Sequence, residues 1–402
     1  MLDLLRQVRA AWWLEWPHES LAAWTRGTLL LRKTGNANRR ENEFTTKEPP
    51  RAARLLIIRT GHLGDILHTI PFAQAVKRQR PDVRVELLAG PWSEKLAKRF
   101  DCFDEVISYA PDFAQFHRGD RRGVLPFRQQ VAFLRALSGR GYYAAVATSP
   151  VHLSDQILLR AASAAVTVGT CGGLGEFPLS GFDCRRAFDS RMREAGWVSS
   201  FLADLGLAVE PAPLTFPITE AERNRAATFL GPLPPPRVVI APGAGWPGKC
   251  WPVDRFAMLA DLLVEKKRAA VVVIGAGEEK KLAAGMIAQM KNSALNLAGQ
   301  TSLGESAAVI AASQLFIGND SAPLHLAAAV GTPTLAMFGP TRVSKWAPPG
   351  ARNRVLQHEG MCDGCIYWHC NAACRHDNRC MKAIGVEAAF ETASALLDYS
   401  SP

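Results

Sequence analysis

The sequence predicts an α/β protein of two doubly wound parallel sheets facing a cleft, behind a helical N-terminal extension. Three observations carry that expectation. Short apolar, often β-branched runs alternate with stretches of helical length, the mark of parallel strands joined by crossover helices. The alternation occurs twice, broken by Pro211-Ala212-Pro213 and the Gly231–Pro236 cluster. The length of 402 residues suits two domains at roughly 100–200 residues each.

Residues 1–53 form the extension and a linker. Leu2, Leu5, Val8, Trp12 and Trp16 recur at three- and four-residue steps, as on one face of a helix. Gly35 to Pro50 is polar and charged, which reads as a linker. The first domain, residues 54–213, has candidate strands at Leu55–Arg59, Val83–Leu88, Glu105–Tyr109, Ala144–Thr148 and Ala165–Val168, with helices such as Pro71–Gln79 and Phe127–Leu137 between them. The second, residues 214–402, has strands at Val238–Ala241, Ala270–Ile274, Leu295–Leu297, Leu315–Ile317 and Thr334–Met337, with helices over 253–267, 279–290 and 304–313. In sheets of this kind ligands sit at the carboxyl ends of the strands.

Composition narrows the function classes. With 48% hydrophobic and 21% charged residues, the chain is neither disordered nor fibrous. Asp3, Arg6 and Arg9 break the first apolar residues, so no signal peptide is expected. The most apolar window, Leu326 to Gly339, is cut by Gly331 and Pro333, so no membrane span is expected. Nine cysteines in a long chain point to reduced thiols in the cytoplasm rather than a disulfide framework. The net charge of +10 favours an anionic partner. Residues 1–54 hold 10 basic against 6 acidic residues, so much of the excess lies outside the two sheets. In the arginine-rich segment 117–140 aromatic interleaving is thin, so it does not read as a nucleic-acid site.

Three motifs follow apolar strands. The first is Arg59-Thr60-Gly61-His62-Leu63-Gly64-Asp65, running into a helix. Gly61 and Gly64 permit a tight turn and close approach of a ligand. Asp65 is either a first-turn carboxylate stabilising the helix or a general base. The second runs from Val238 through Gly243-Ala244-Gly245-Trp246-Pro247-Gly248-Lys249 to Trp251-Pro252. Its amides and Lys249 suit a phosphate, and a flexible loop with a solvated lysine is the plainer reading. The third is Gly318-Asn319-Asp320-Ser321-Ala322-Pro323-Leu324-His325, where a buried strand meets a helix start suited to a diphosphate. Taken singly, Asp320 is a cap and His325 a structural histidine. Between these motifs, Gly275-Ala276-Gly277-Glu278 lacks the third glycine of a dinucleotide fingerprint; Glu278 could instead accept from a ribose.

Taken together and in order over residues 54–385, the three motifs resemble the lipopolysaccharide heptosyltransferases, glycosyltransferase family 9 of the GT-B superfamily. The resemblance implies two Rossmann-like domains and an ADP-heptose donor. It further implies a lipid A–core acceptor and an inverting reaction without cofactor or metal. It makes Asp65 the base, Lys249 the donor-phosphate lysine, and Asp320, Ser321, Ala322 and His325 the surroundings of the diphosphate and sugar. Gly64, Gly243 and Glu278 complete the expected donor contacts. One departure is that Gly243-Ala244-Gly245-Trp246 stands where such enzymes often carry Thr or Ser, which bears on the donor. Closure of the two domains is expected to precede reaction.

Two further clusters are less specific. Arg118, Arg121, Arg122, Arg128, Arg135 and Arg140 face one acid, Asp120. They are a solvated surface or, for Arg118, Arg121, Arg122 and Arg128, contacts to acceptor phosphates or carboxylates. The Cys-rich segment 358–381 spaces Cys362, Cys365, Cys370 and Cys374 so that a tetrahedral zinc site is conceivable, with reduced structural thiols the simpler reading. The N-terminal helix would rest on the cytoplasmic face of the inner membrane or pack on the protein itself. The alternatives to a heptosyltransferase are a transferase using another nucleotide-sugar and a non-catalytic glycan-binding module.

Overall fold

The computed structural model describes residues 52–109, 127–148, 158–171, 184–187, 189, 191–210, 213–358, 365, 374 and 376–399. The expected N-terminal helix and linker lie outside them. The chain divides into two compact units, Met1–Asp189 with Val198–Glu210, and Ser190–Trp197 with Pro211–Pro402.

In the first unit the order is β1 (Arg54–Arg59), α1 (Leu63–Gln79), β2 (Arg84–Ala89), α2 (Glu94–Ala97), β3 (Glu105–Ser108), α3 (Phe127–Ser138), β4 (Ala144–Ala147), β5 (Val166–Cys171) and β6 (Cys184–Ala187). The six strands lie in the order β3-β2-β1-β4-β5-β6, and every pair is parallel. Leu55, Leu56, Ile57 and Ile58 are buried, as a central strand covered on both faces requires. Helix α1 begins where the first motif opens it, with Asp65 in its first turn, and joins the expected stretch Pro71–Gln79 as one helix that runs through Pro71. Burial of Ile66, Leu67, Ile70 and Phe72 carries the helix through the proline.

Helix α4 (Glu194–Ser200) follows. Its first residues belong with the second unit because Glu194 is buried against Lys345, with 2.6 Å between Oε2 and Nζ.

The second unit continues with α5 (Glu220–Leu230), β7 (Arg237–Ala241), α6 (Val253–Lys267), β8 (Ala270–Val273), α7 (Lys280–Ile287), β9 (Leu295–Asn296), α8 (Leu303–Ala311), β10 (Leu315–Asn319), α9 (Ala322–Ala329), β11 (Thr334–Phe338), α10 (Val343–Trp346), β12 (Asn353–Gln357), α11 (Arg379–Lys382) and α12 (Val386–Tyr399). Its parallel sheet runs β12-β11-β10-β7-β8-β9. Local chemistry sets the helix ends. Ser302 accepts from the amide of Glu305 and Glu305 accepts from that of Ser302, a reciprocal cap that starts α8. Under the sheet, α6 and α12 bury Phe256, Leu259, Leu263, Leu396 and Leu397 with Trp251.

Both sheets share one topology. Chain order reverses between β1 and β4 in the first, and between β7 and β10 in the second. Such switch points leave a crevice at the carboxyl ends of the two central strands, where ligands bind. The first and third sequence motifs leave β1 and β10, and the second leaves β7.

Candidate active site

In the first unit, β1 ends on Arg59, a buried cation after four buried aliphatic residues. Its Nη1 donates to the Thr148 carbonyl at 2.8 Å and the Thr148 hydroxyl at 3.3 Å, just past β4. Its Nη2 donates to Asp65 Oδ1 at 2.9 Å. Arg59 therefore closes the β1/β4 switch point and grips the third residue of α1. The other carboxylate oxygen, Oδ2, accepts from the His62 amide at 2.6 Å, satisfying one orphan N–H of the helix start. The Asp65 side chain is 15% exposed. Burial alone would raise its carboxyl, but the Arg59 charge, then His62 and the two hydrogen bonds, hold it well below the usual carboxylate range. Asp65 is thus both helix cap and fixed, ionised carboxylate.

Two glycines explain the tight fit around it. A side chain on Gly61 would collide with the Asp65 carboxylate, and one on Gly90 would collide with the Trp92 indole. Trp92 Nε1 donates to the Gly61 carbonyl at 2.7 Å, so the indole braces the turn that holds Asp65. Gly64 is the second residue of α1.

In the second unit, Asn319 ends β10 and is fully buried. Its Nδ2 donates to the carbonyls of Pro242 at 2.8 Å and Gly243 at 3.3 Å. Its Oδ1 accepts from the Trp251 amide at 2.9 Å. One side chain thereby staples both ends of the Gly243–Cys250 loop to the β7/β10 switch point. Lys249, on the single 3-10 turn Pro247–Lys249, reaches Asp320 Oδ2 at 2.9 Å and the Asp320 carbonyl at 3.4 Å. An ammonium has three donors, so one remains for a ligand. His325 Nε2 stands 3.8 Å from Asp320 Oδ1. Burial would raise the Asp320 carboxyl, and the Lys249 charge followed by His325 holds it far below the ordinary value. Ser321 is the N-cap residue of α9, with Pro323 in the first turn and its hydroxyl donating to the Asn319 carbonyl at 3.3 Å. Lys249, Asp320, Ser321, Ala322 and His325 are therefore assembled at one end of one sheet.

Sequence reasoning singled out Glu278, which is exposed on the turn Gly277–Glu279. The neighbouring Glu279 lies against Gly243, where any side chain would strike its carboxylate, and accepts from the Ala276 amide at 2.7 Å. No local pattern announces it, because an alanine at 276 has no capping side chain to make a recognisable box. Arg59, Thr148, Trp92 and Asn319 were also not assigned. Of these, only Arg59 carries a local clue, a charge closing an otherwise apolar strand.

The arginine-rich run is not one surface. Arg118, Arg121 and Arg122 lie outside the described residues, and Arg128 is exposed on α3. Arg140 instead donates to Glu86 Oε2 at 2.7 Å and Glu105 Oε1 at 2.6 Å, toward the amino ends of the strands and away from Asp65. Burial of Glu86 within the sheet demands such partners, which removes Arg140 from any acceptor-side patch. Of the cysteine cluster, Cys362 and Cys370 lie outside the described residues. Cys365 and Cys374 are half-buried, and among the described residues no group of three or more His, Cys, Asp or Glu is placed to hold a metal ion.

Known proteins are similar to this chain in sequence and fold. Lipooligosaccharide heptosyltransferase 2 of Haemophilus influenzae is 25% identical over 311 residues, covering 73% of this chain and 85% of that protein. The crystal structure of a family 9 glycosyl transferase from Veillonella parvula matches with a TM-score of 0.69 at 20% identity, covering 86% of this chain and 97% of that one. Escherichia coli heptosyltransferase WaaC with ADP-2-deoxy-2-fluoro heptose matches at 0.55 and 19% identity, covering 82% and 98%. These structures share the GT-B fold. Glycosyltransferase family 9 (heptosyltransferase) itself matches residues 133–375, more than half of the chain. The chain belongs to glycosyltransferase family 9, and it is a glycosyltransferase of the heptosyltransferase kind.

Proposed function

We propose that the protein transfers heptose from ADP-heptose to a saccharide of the lipid A–core acceptor, with inversion and without a metal. The observation that carries this reading is the Lys249–Asp320–His325 cluster at the start of α9, where a lysine held on Asp320 still has a donor to offer beside the free amides of a helix start, a cradle suited to a diphosphate. The relative solved with an ADP-linked fluoroheptose supports the donor class.

Asp65 is the proposed base. An acceptor hydroxyl attacks the anomeric carbon from the face opposite the diphosphate, and a new C–O bond forms as the bond to the diphosphate oxygen breaks. The hydroxyl proton passes to Asp65, and the electron pair leaves with ADP. A carboxylate held so far toward its ionised form is a weak base, which suits a proton that moves late, once the attacking oxygen has become acidic. Negative charge grows on the departing diphosphate, where Lys249 and the amides at the start of α9 stabilise it. Gly243, held by Asn319, and Glu279 lie beside this cradle, where they would contact the donor. Arg128, with the unassigned Arg118, Arg121 and Arg122, remains a proposed contact for acceptor anions. Action at the cytoplasmic face of the inner membrane follows from the acceptor and from the basic N-terminal segment. Among the described residues no helix is long and apolar enough to cross a membrane.

The test is a donor screen with a truncated core acceptor, measuring ADP, UDP and GDP release separately in the presence of EDTA. ADP release dependent on both ADP-heptose and acceptor is expected. Turnover with a UDP- or GDP-sugar in its place would favour the second reading, toward which the Gly243-Ala244-Gly245-Trp246 loop leans. Acceptor binding without turnover of any donor would favour a non-catalytic module.

A further inference from the structure

The guanidinium of Arg59 bridges two elements far apart in sequence, the end of β4 and the first turn of α1. Thr148 is 89 residues away and supplies both its carbonyl and its hydroxyl to Nη1. Asp65 takes Nη2. The planar fork is thus fixed at one end by uncharged groups of the sheet and presents its other nitrogen to the carboxylate. Each carboxylate oxygen has about two acceptor directions. Arg59 occupies one on Oδ1 and the His62 amide one on Oδ2. The remaining directions are those that an acceptor hydroxyl would use.

We propose that Arg59 is a positioning residue for the Asp65 base, fixing the plane of the carboxylate so that its unused lone pairs meet the acceptor hydroxyl in one orientation. This rests on the reading of Asp65 as base. Placement of a reacting group within a fraction of an ångström is where such a residue acts. The arrangement trades base strength for orientation. Without the arginine the carboxylate is freer to turn about its side chain, and only the His62 amide and the burial of the site remain.

The charged and titratable groups around Asp65 on the described elements are few. From β1 comes Arg59, and the turn before α1 contributes His62. His68 follows one turn later on α1, β4 is continued by the uncharged Thr148, and Trp92 follows β2. On α2, Glu94 pairs with Lys98, and Lys95 lies between them. Lys77 at the far end of α1 pairs with Asp104. Glu86 on β2 is enclosed by Arg54, Arg84 and Arg140. Burial is the largest influence raising the Asp65 carboxyl, and Arg59 the largest opposing it. Removal of Arg59 therefore lets burial prevail.

The experiment measures kcat, KM and the pH dependence of kcat/KM from pH 4 to 8 for wild type, Arg59→Gln, Arg59→Lys and Asp65→Asn. Folding is checked by the melting temperature and by ADP binding, which draws on residues of the second unit. Arg59→Gln is expected to lose kcat by about 10²-fold, with little change in acceptor KM. It also gains an acid limb above the ordinary carboxylate value of about 4, the rate falling as pH drops. Arg59→Lys keeps the charge but cannot fork between Thr148 and Asp65. It is expected to lose about tenfold in kcat, intermediate between the two, with no such limb. A folded Arg59→Gln with wild-type kcat and profile would overturn the proposal. So would a loss in kcat with an unmoved profile and no recovery in Arg59→Lys. If Arg59→Gln does not fold, wild-type kcat in Arg59→Lys overturns it alone. An active Asp65→Asn would instead sink the reading of Asp65 as base, a separate outcome.

Discussion

The Lys249 ammonium meets the Asp320 carboxylate at 2.9 Å across 71 residues of sequence, joining the loop after β7 to the start of α9. The pair gives the cradle a fixed cation without a free lysine side chain to order on binding. Lys249→Ala should therefore weaken ADP binding by about 10- to 100-fold, the loss of one charge-assisted contact of roughly 1.5–3 kcal/mol. Isothermal calorimetry with ADP checks this. Lys249→Arg should not restore full affinity, because the planar fork does not replace a compact charge on that short turn.

Acid should loosen the protein through the same carboxylate. Asp320 has its carboxyl lowered in the folded state, so it stabilises the fold above its unfolded value of about 4 and loses that contribution as pH falls further. Melting temperatures from pH 6 to pH 3 should fall with acid in the wild type. In Asp320→Asn the dependence should be shallower, although the variant starts lower.

At the other end of the first sheet, Glu86 is fully buried and accepts from Arg84, Arg140 and Tyr142 at 2.7–2.8 Å, and from Arg54. Glu86→Ala removes the acceptor of Arg54 and Tyr142 and leaves Arg84 and Arg140 with Glu105. It should destabilise the first unit by about 3 kcal/mol, the low end for breaking a buried pair because the arginines reach water. Urea denaturation measures this, with ADP affinity unchanged.

Trp92→Phe keeps the packing on Gly90 and removes only the N–H bonded to the Gly61 carbonyl. The cost should be about 1 kcal/mol of stability. A several-fold fall in kcat with donor KM unchanged would place the effect on the turn holding Asp65 rather than on the nucleotide. Stopped assays at saturating donor read it.

How far the sequence carried these conclusions depends on the range of the interaction. The central strands were legible because parallel strands buried on both faces read as apolar runs. Strands β6 and β12 were not, since Cys184-Arg185-Arg186-Ala187 and Asn353-Arg354-Val355-Leu356-Gln357 are edge strands with polar residues. Asp65, Lys249, Asp320, Ser321 and His325 could be named from motifs, each a strand end with its own small pattern. Their pairing could not, because Arg59 with Thr148 and Lys249 with Asp320 are set by which strands adjoin, not by local spacing. Glu279 was missed in favour of Glu278 because adjacent acids on a short turn differ only in direction. Arg140 read as surface charge, since nothing near it in sequence announces a buried Glu86 54 residues earlier.

The central claim is that a fixed, ionised Asp65 takes the proton of the acceptor hydroxyl. The most direct measurement is the rate of ADP-heptose-dependent transfer to a truncated core acceptor by wild type and Asp65→Asn, with ADP binding compared in parallel. Asn keeps the size and can still accept from Arg59, but it takes no proton. The expected result is a 10²- to 10⁴-fold fall in kcat with ADP affinity unchanged. An Asp65→Asn protein that transfers heptose at close to the wild-type rate would contradict the account.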